Sequence, residues 1–177
     1  MADFKQRIIR AARLDVSLYE EVEADTSSMN QAMGVVVLSS IAAGLGSVIQ
    51  GGIIAIVVLT IAALLSWYIW AYLTYLIGTK LLPEPQTKAD VGELLRTTGF
   101  SSSPGLIRVL AIIPGLRSLV FLAASVWMLV AMVIAVRQAL DYKSTARAVG
   151  VCLIGWLIQL AVFTLLFSIA RTGGGGF

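Results

Sequence analysis

The sequence contains no histidine and a single cysteine, Cys152. The lack of histidine removes the commonest general base and the usual ligand for haem, zinc and copper. A lone cysteine excludes an intrachain disulfide and a thiolate metal cluster. We therefore expect no catalytic residue, no metal site, no cofactor and no enzymatic activity in this chain.

Charged residues are also scarce. They make up 13% of the 177 residues, whereas hydrophobic residues make up 58%. Soluble domains carry about 25% charged and about 45–50% apolar residues, so this composition cannot cover a water-facing surface. The net charge of +3 is small and its basic residues are spread along the chain. We therefore expect no nucleic-acid partner.

Long apolar runs replace the missing polar surface. Such runs cross a bilayer as helices, because the backbone must satisfy its own hydrogen bonds there. We expect spans at residues 31–49, 53–78, 118–136 and 148–170, with a tight turn at Gly51-Gly52. The predicted fold class is thus all-α, a polytopic transmembrane helix bundle.

Residues 97–116 are the ambiguous stretch. They carry one charge, Arg108, but Pro104, Gly105, Pro114 and Gly115 interrupt them. They form either a distorted full span or a re-entrant pair of half helices. The bundle therefore has five spans, or four spans and a re-entrant segment. Residues 87–96, just before this stretch, are predicted as a polar connection with a short helical turn.

The N-terminal segment predicts an amphipathic helix. Apolar residues recur at four-residue steps and arginines occupy the other side: Phe4, Ile8, Ala12 and Val16 against Arg7, Arg10 and Arg13. We expect this helix to lie at the headgroup level. The acidic residues 19–25 that follow are predicted as a solvated linker, and Ser28 with Gln31 has the spacing of a capping box for the first span.

We divide the chain into three units. Residues 1–28 form a cytoplasmic N-terminal segment, residues 29–171 the membrane domain and residues 172–177 a disordered glycine-rich tail. Of the 13 lysines and arginines, ten fall on the N-terminal side in a five-span arrangement. Arg117 and Arg171 fall on the other side, and Arg108 is unassigned. The positive-inside rule therefore predicts a cytoplasmic N-terminus with either number of spans.

Arg108 is the sharpest candidate for function, since an ionised residue at membrane depth is costly and marks a functional site by default. By topology its nearest acidic partners are Asp90, Glu93 and Asp141. The alternative is that Arg108 lies at an interface and extends its charged end to the headgroups.

Two further sets of residues are candidate contacts with lipids or partner proteins. One is an aromatic face of the second span, which also suits a simple interfacial anchor. The other is a pair of glycines in the first span, each four residues after another small residue. These candidates are Tyr68, Tyr72, Tyr75, Gly44 and Gly46.

Two stretches resemble the Yip1 family. Its midsection carries a Gly-Tyr or Gly-Phe step followed by proline, which is similar to Gly99-Phe100-Ser101-Ser102-Ser103-Pro104. Residues 136–141, leading to Ala146 and Gly150, resemble its fourth helix, loop and fifth helix. The resemblance covers roughly residues 15–170 and is closest to compact bacterial members, implying a bacterial cytoplasmic membrane. The eukaryotic Asp-Leu-Tyr-Gly-Pro motif is not matched by residues 18–21, so the eukaryotic role is not carried over.

These observations predict a non-catalytic integral membrane protein that acts by association with lipids or partner proteins, organising the membrane. Helix faces could also join copies of the chain. The alternative is a small accessory subunit packed against a larger respiratory, photosynthetic or transport complex. A transporter or channel is disfavoured, because every aspartate and glutamate falls outside the predicted spans.

Overall fold

A computed structural model describes residues 3–47 and 52–173, and in this part of the chain it contains helices and connecting turns without a strand. The α-helices are α1 Phe4–Ala12, α2 Val16–Ala24, α3 Met29–Ser47, α4 Gly52–Leu76, α5 Val91–Phe100, α6 Arg117–Ala139 and α7 Thr145–Gly173. A 3₁₀ helix, Ser103–Ile112, joins α5 to α6. The predicted all-α class is confirmed.

Four described helical stretches are long and apolar enough to cross a membrane. They are Thr26–Leu45, Ile56–Leu81, Arg117–Ala139 and Thr145–Val162. They correspond to the four long spans predicted from the sequence. The predicted end of the first span at residues 48–49, Gly51 of the predicted turn and most of the glycine-rich tail lie outside the described residues.

The connection predicted for residues 87–96 is wrong in part, because α5 occupies its second half and is buried. Asp90 begins α5 with a capping box, in which its carboxylate accepts from the Glu93 amide and the Glu93 carboxylate accepts from the Asp90 amide. Leu94, Leu95 and Arg96 then pack inside the protein. The charges at the start and in the middle of this short helix are thus capping and packing residues, not the mark of a solvated loop.

Residues 97–116 pass from one end of the bundle towards the other. A Cβ on Gly99 would lie 2.8 Å from the Cβ of Ala32, and further along Gly105 faces Ser39, so the segment runs parallel to α3. The chain then reverses through residues 113–116 into α6. Here α5 and a 3₁₀ helix replace one long helix, and the stretch is not among the four candidate spans. The choice between a distorted full span and a re-entrant segment stays a prediction.

The N-terminal segment belongs to the core of the protein. Leu18, Tyr19 and Val22 of α2 are fully buried and share a cluster with Val35 and Phe100. Phe4 and Ile8 of α1 pack against the same cluster. The predicted solvated linker at residues 19–25 is therefore wrong: most of it is α2, whose apolar side packs on α5 and α6.

The entry into α3 also differs from the prediction. The helix begins close to the expected place, at Met29, but the Ser28–Gln31 capping box is not formed. The Ser28 hydroxyl donates to the carbonyl of Val22 at 3.1 Å. The Gln31 side-chain oxygen accepts from Arg7 at 2.9 Å. Both side chains thus fasten the N-terminal helices to α3.

Candidate functional site

Arg108 lies on the 3₁₀ helix and reaches towards α6. Its Nη2 donates to the Ser125 hydroxyl at 3.4 Å, and its Cζ lies 5.5 Å from the ring centroid of Phe121. Its Nε is buried without a hydrogen-bond partner. Within the described residues no carboxylate forms an ion pair with it. Arg108 is therefore a cation that the described part of the chain leaves nearly unsatisfied.

The acidic partners predicted for Arg108 are wrong. Asp90 and Glu93 cap α5 at the end where the chain begins. Asp141 lies beside Glu23 and Glu93 at that same end. Order along the chain suggested these pairs, but Arg108 lies on the following 3₁₀ helix, towards the opposite end of the bundle.

A cavity of about 300 Å³ opens beside Arg108 in the middle of the bundle. Five hydroxyl groups and one amide are interspersed in walls that are otherwise mostly apolar. These groups belong to Ser39, Ser40, Ser66, Thr98, Ser102 and Gln159. Arg108 is the only charged residue among its described lining residues, so the cavity suits a ligand that accepts hydrogen bonds and carries negative charge.

An apolar groove between α6 and α7 adjoins this cavity. Its volume is about 720 Å³, and its walls include Leu129, Val133, Val149 and Trp156. Trp70 and Met132 line both the cavity and the groove. Ser125, which accepts the hydrogen bond of Arg108, lines the groove as well. A cationic, hydroxyl-lined site and an apolar channel are thus next to each other.

The stretch that resembles a known family motif is a packing element beside this site. Phe100 is fully buried, and the Ser101 hydroxyl donates to the carbonyl of Thr98 at 2.7 Å. Gly99 permits the close approach to α3, since a side chain there would also meet the backbone of Ala32. Ser103 is buried and its hydroxyl has no partner among the described residues.

A second polar site joins α1 to α2. Arg7 is only 5% exposed, and its guanidinium pairs with Glu21 at 2.9 Å and Asp25 at 2.7 Å. Arg10 pairs with Asp15 and Glu21. Hydrogen bonds from Arg10 lower the pKa of Glu21 below its usual value. Three of the five acidic residues in positions 15–25, namely Asp15, Glu21 and Asp25, are therefore paired with arginines within the chain.

The outer face of α1 carries a different set of residues. Lys5, Ile9 and Arg13 recur at four-residue steps, are all exposed and have no ion pair among the described residues. The carbonyl of Ala12 accepts from the indole of Trp127 at 2.8 Å, which fixes the end of α1 alongside α6. The predicted amphipathic helix is present, but its Phe4–Ile8 face packs on protein and this opposite face is free.

A cleft of about 530 Å³ lies at the same end of the molecule, where acidic residues of α2, α5 and the loop after α6 meet. Its charged lining residues are Glu20, Glu23, Glu93, Asp141, Arg137 and Lys143. Burial and the neighbouring carboxylates raise the pKa of Glu23 to about 7. Among the described residues, no group of three histidines, cysteines, aspartates or glutamates is placed to hold a metal ion.

The remaining predicted contact residues lie on α3 and α4. Tyr68 and Tyr72 are exposed on α4, and Tyr75 is partly buried with its ring centroid 6.5 Å from that of Tyr72. Gly44 faces α4 within the chain, because a Cβ there would lie 3.2 Å from Ile56. The surroundings of Gly46 lie outside what the structure describes.

Comparison with known proteins gives one match. The family model described as the Yip1 domain matches residues 24–166. No curated protein and no solved structure gives a match. The matched range contains α3 to α6, most of α7 and the cavity around Arg108, whereas α1 and nearly all of α2 precede it.

Proposed function

Because this chain belongs to the Yip1 family and is an integral multi-pass membrane protein, we propose that it is non-catalytic and acts by association with lipids, organising the leaflet at its N-terminal end. The observation that carries this proposal is the exposed Lys5–Ile9–Arg13 face of α1. A helix face that combines basic and apolar side chains suits the boundary between headgroups and acyl chains.

The position of α1 supports contact with lipid. Trp127, which holds the end of α1, belongs to the candidate span Arg117–Ala139 and is itself exposed. Trp127 is the eleventh of the 23 residues of α6, so the end of α1 packs against the side of this span. Ile9 remains 42% exposed on the adjoining helix surface. An apolar side chain here would enter the bilayer, while Lys5 and Arg13 would meet phosphate groups.

The distribution of charge supports a cytoplasmic position for this end. Basic residues flank the ends of α4, α6 and α7 that lie near α2. They are Lys80, Lys88, Arg137, Lys143 and Arg147. With the basic residues of α1 they follow the positive-inside rule. Cytoplasmic leaflets carry anionic lipid, which attracts basic residues near the surface by about 1 kcal/mol each. We place the protein in a bacterial cytoplasmic membrane on the family resemblance.

The test measures which lipids lie beside α1 in the full-length protein. A fluorophore is attached to Ile9→Cys in a Cys152→Ala background, and the protein is reconstituted in nanodiscs. Quenching by spin-labelled phosphatidylglycerol is compared with quenching by spin-labelled phosphatidylcholine. We expect several-fold stronger quenching by the anionic lipid, and a ratio near unity in the Lys5→Gln/Arg13→Gln variant.

The matched control is Lys80→Gln/Lys88→Gln, which removes two exposed basic residues from the same end of the molecule. It should retain most of the preference for phosphatidylglycerol, because neither residue belongs to α1. Equal quenching by both lipids in the unmodified chain, or an equal loss in the control, would show that the face of α1 does not select lipid.

A second candidate function is that of an accessory subunit, and the exposure of α4 favours it. In the most apolar 18-residue stretch of this candidate span, only 6% is buried within the protein. The corresponding shares for the other three candidate spans are 39%, 28% and 22%. Tyr68 and Tyr72 project from this helix. Purification of the natively expressed chain in mild detergent tests this function: larger membrane subunits at near-stoichiometric amounts would support it, and a stable, solitary chain would contradict it.

A further inference from the structure

The surroundings of Arg108 require an anion that the described part of the chain does not supply. Its single polar contact, to Ser125, is 3.4 Å long, beyond the usual range for a hydrogen bond of this kind. Arg108 is partly buried and its Nε is enclosed without a partner, whereas buried polar groups in proteins are normally hydrogen-bonded. The ring of Phe121 offers only a weak cation–π contact at 5.5 Å.

The depth of Arg108 in the membrane makes a missing anion more costly. Ser125 lies about two turns into α6, or about 12 Å from the start of the helix at 1.5 Å per residue. Half of a hydrocarbon core measures about 15 Å. If Arg117 at the start of α6 marks the membrane surface, the guanidinium lies well inside the bilayer. Anions are scarce at this depth, and the nearest supply is the phosphate layer of the headgroups.

The groove beside Arg108 supplies a place for the rest of such a lipid. Ser125 stands at the junction, because it accepts from Arg108 and also lines the groove between α6 and α7. From Ser125 the groove runs along α6 to Ile134, about 14 Å at 1.5 Å per residue. Its walls are apolar over nearly their whole area. An anionic head beside a cation, continued by an apolar chain in an apolar groove, describes a phospholipid.

We propose that Arg108 and the hydroxyl-lined cavity bind the headgroup phosphate of an anionic phospholipid whose acyl chain lies in the groove between α6 and α7. Arg108 donates to the phosphate oxygens in place of its long contact to Ser125. Ser102 and Ser39 line the same cavity. Their side chains are placed to contact further oxygens of the headgroup. This inference extends the proposed association with lipids to a second site, separate from α1.

The experiment counts lipid bound to the intact protein. The full chain is purified in mild detergent, mixed with phosphatidylglycerol or phosphatidylcholine, and examined by native mass spectrometry. We expect one retained phosphatidylglycerol on the unmodified chain. Arg108→Gln should weaken its binding by about tenfold or more, the scale of one lost charge-assisted contact, and Arg108→Lys should retain part of it. The control Arg117→Gln removes an exposed arginine near the same end and should bind as the unmodified chain does.

A second pair of variants tests the groove without touching the charge. Val149→Trp fills the groove and should also weaken binding of phosphatidylglycerol, whereas Leu122→Trp, on an exposed part of α6 outside the groove, should not. Should Arg108→Gln fail to fold, Arg108→Lys and Val149→Trp still decide the matter. Competition by inorganic phosphate as effective as that by phosphatidylglycerol would mean a site for a free anion and overturn the assignment of a lipid.

The outcomes at the two lipid sites are independent. Lys5→Gln/Arg13→Gln should leave the retained phosphatidylglycerol in place, and Arg108→Gln should leave the quenching ratio at α1 unchanged. Equal retention of phosphatidylglycerol by Arg108→Gln and the unmodified chain would refute the site at Arg108 while the proposed role of α1 stands.

Discussion

The arginines at the two ends of the bundle differ in how many partners they have within the chain. At the N-terminal end, Arg7 and Arg10 pair with carboxylates of α2 and its flanking residues. Arg96 is 5% exposed and donates to the carbonyls of Val22 and Glu23. Towards the opposite end, Arg108 has one long contact to a hydroxyl and a buried Nε without a partner.

This difference separates two uses of a cation. A guanidinium whose donors are all taken up within the chain holds helices together and has little left to offer a ligand. One whose donors are left over is a cost to the fold unless something outside the chain takes them up. The contrast therefore assigns the N-terminal arginines to structure and supports the binding role proposed for Arg108.

Removing Arg7 should have the largest effect on stability and would sharpen the comparison. Arg7→Gln leaves Glu21 and Asp25 without their shared cation and Gln31 without its donor. Loss of one partner from a buried ion pair costs about 3–5 kcal/mol, and the partial exposure of the two carboxylates reduces this to about 2–3 kcal/mol here. The measurement is the free energy of unfolding in mixed detergent micelles.

Arg13→Gln is the matched control for Arg7. Both residues belong to the N-terminal segment and both variants lose one positive charge, but Arg13 is exposed and without an ion pair among the described residues. We expect a change within about 0.5 kcal/mol. Equal losses from Arg7→Gln and Arg13→Gln would mean that net charge, not the buried pairing, stabilises this end.

Adding a methyl group at Gly99 should have the next largest effect on stability. A Cβ there would lie 2.8 Å from the Cβ of Ala32 and 3.1 Å from its carbonyl oxygen, and the backbone of α3 cannot move aside as a flexible side chain could. Gly99→Ala should therefore cost about 2 kcal/mol, a typical penalty for overpacking. The same unfolding titration measures this loss.

Gly34→Ala provides the comparison within α3. Its added Cβ would meet only the tip of the Phe4 ring, at 3.3 Å. The ring can shift, and alanine is the better helix former by about 1 kcal/mol, so this variant should be neutral or more stable. A loss as large as that of Gly99→Ala would contradict the view that the α3–α5 contact is the tight one.

Glu23 makes a smaller, pH-dependent contribution to the stability of the N-terminal end. Its pKa of about 7 in the folded protein lies above the ordinary value of 4.5. The folded state therefore binds this proton more tightly, and the resulting stability is present below about pH 4.5 and is lost as the pH rises through 7. These pKa values correspond to about 2 kcal/mol between pH 5.5 and pH 8, and the partial exposure of the carboxylate reduces this. Glu23→Gln should therefore gain about 1 kcal/mol over the unmodified chain at pH 8 relative to pH 5.5.

The control for this profile is Asp3→Asn, which removes an exposed carboxylate of the N-terminal segment outside the cleft. Unfolding titrations at both pH values measure the two variants side by side. A gain that is the same at pH 5.5 and pH 8 would show that Glu23 acts through packing or general charge and not through its own protonation.

The long helices could be predicted from the sequence because length and hydropathy along one run decide them. The four stretches able to cross a membrane depend on local composition alone. The burial of α5 could not be read in this way, since Asp90, Glu93 and Arg96 resemble a solvated loop. The Asp90–Glu93 spacing of a capping box was a usable signal for the start of that helix.

The candidate site could be predicted only as a single residue. Arg108 stands out because charge within an apolar run is rare. Its surroundings depend on contacts far apart in the chain, such as the hydrogen bond to Ser125 and the shared cavity wall at Gln159. The pairing of Arg7 with Glu21 is equally non-local, and alternating charges in residues 3–25 fit many pairings equally well.

Arg108→Gln should have the smallest effect on stability, and it tests the comparison most directly. The fold loses one contact of 3.4 Å and an Nε that had no partner. Removal of an unsatisfied buried group relieves its desolvation cost, so in lipid-free micelles this variant should unfold within about 0.5 kcal/mol of the unmodified chain or be more stable. Added phosphatidylglycerol should then stabilise the unmodified chain and not the variant, because a ligand stabilises only the state that binds it. A loss in lipid-free micelles comparable to that of Arg7→Gln would instead place Arg108 among the structural arginines.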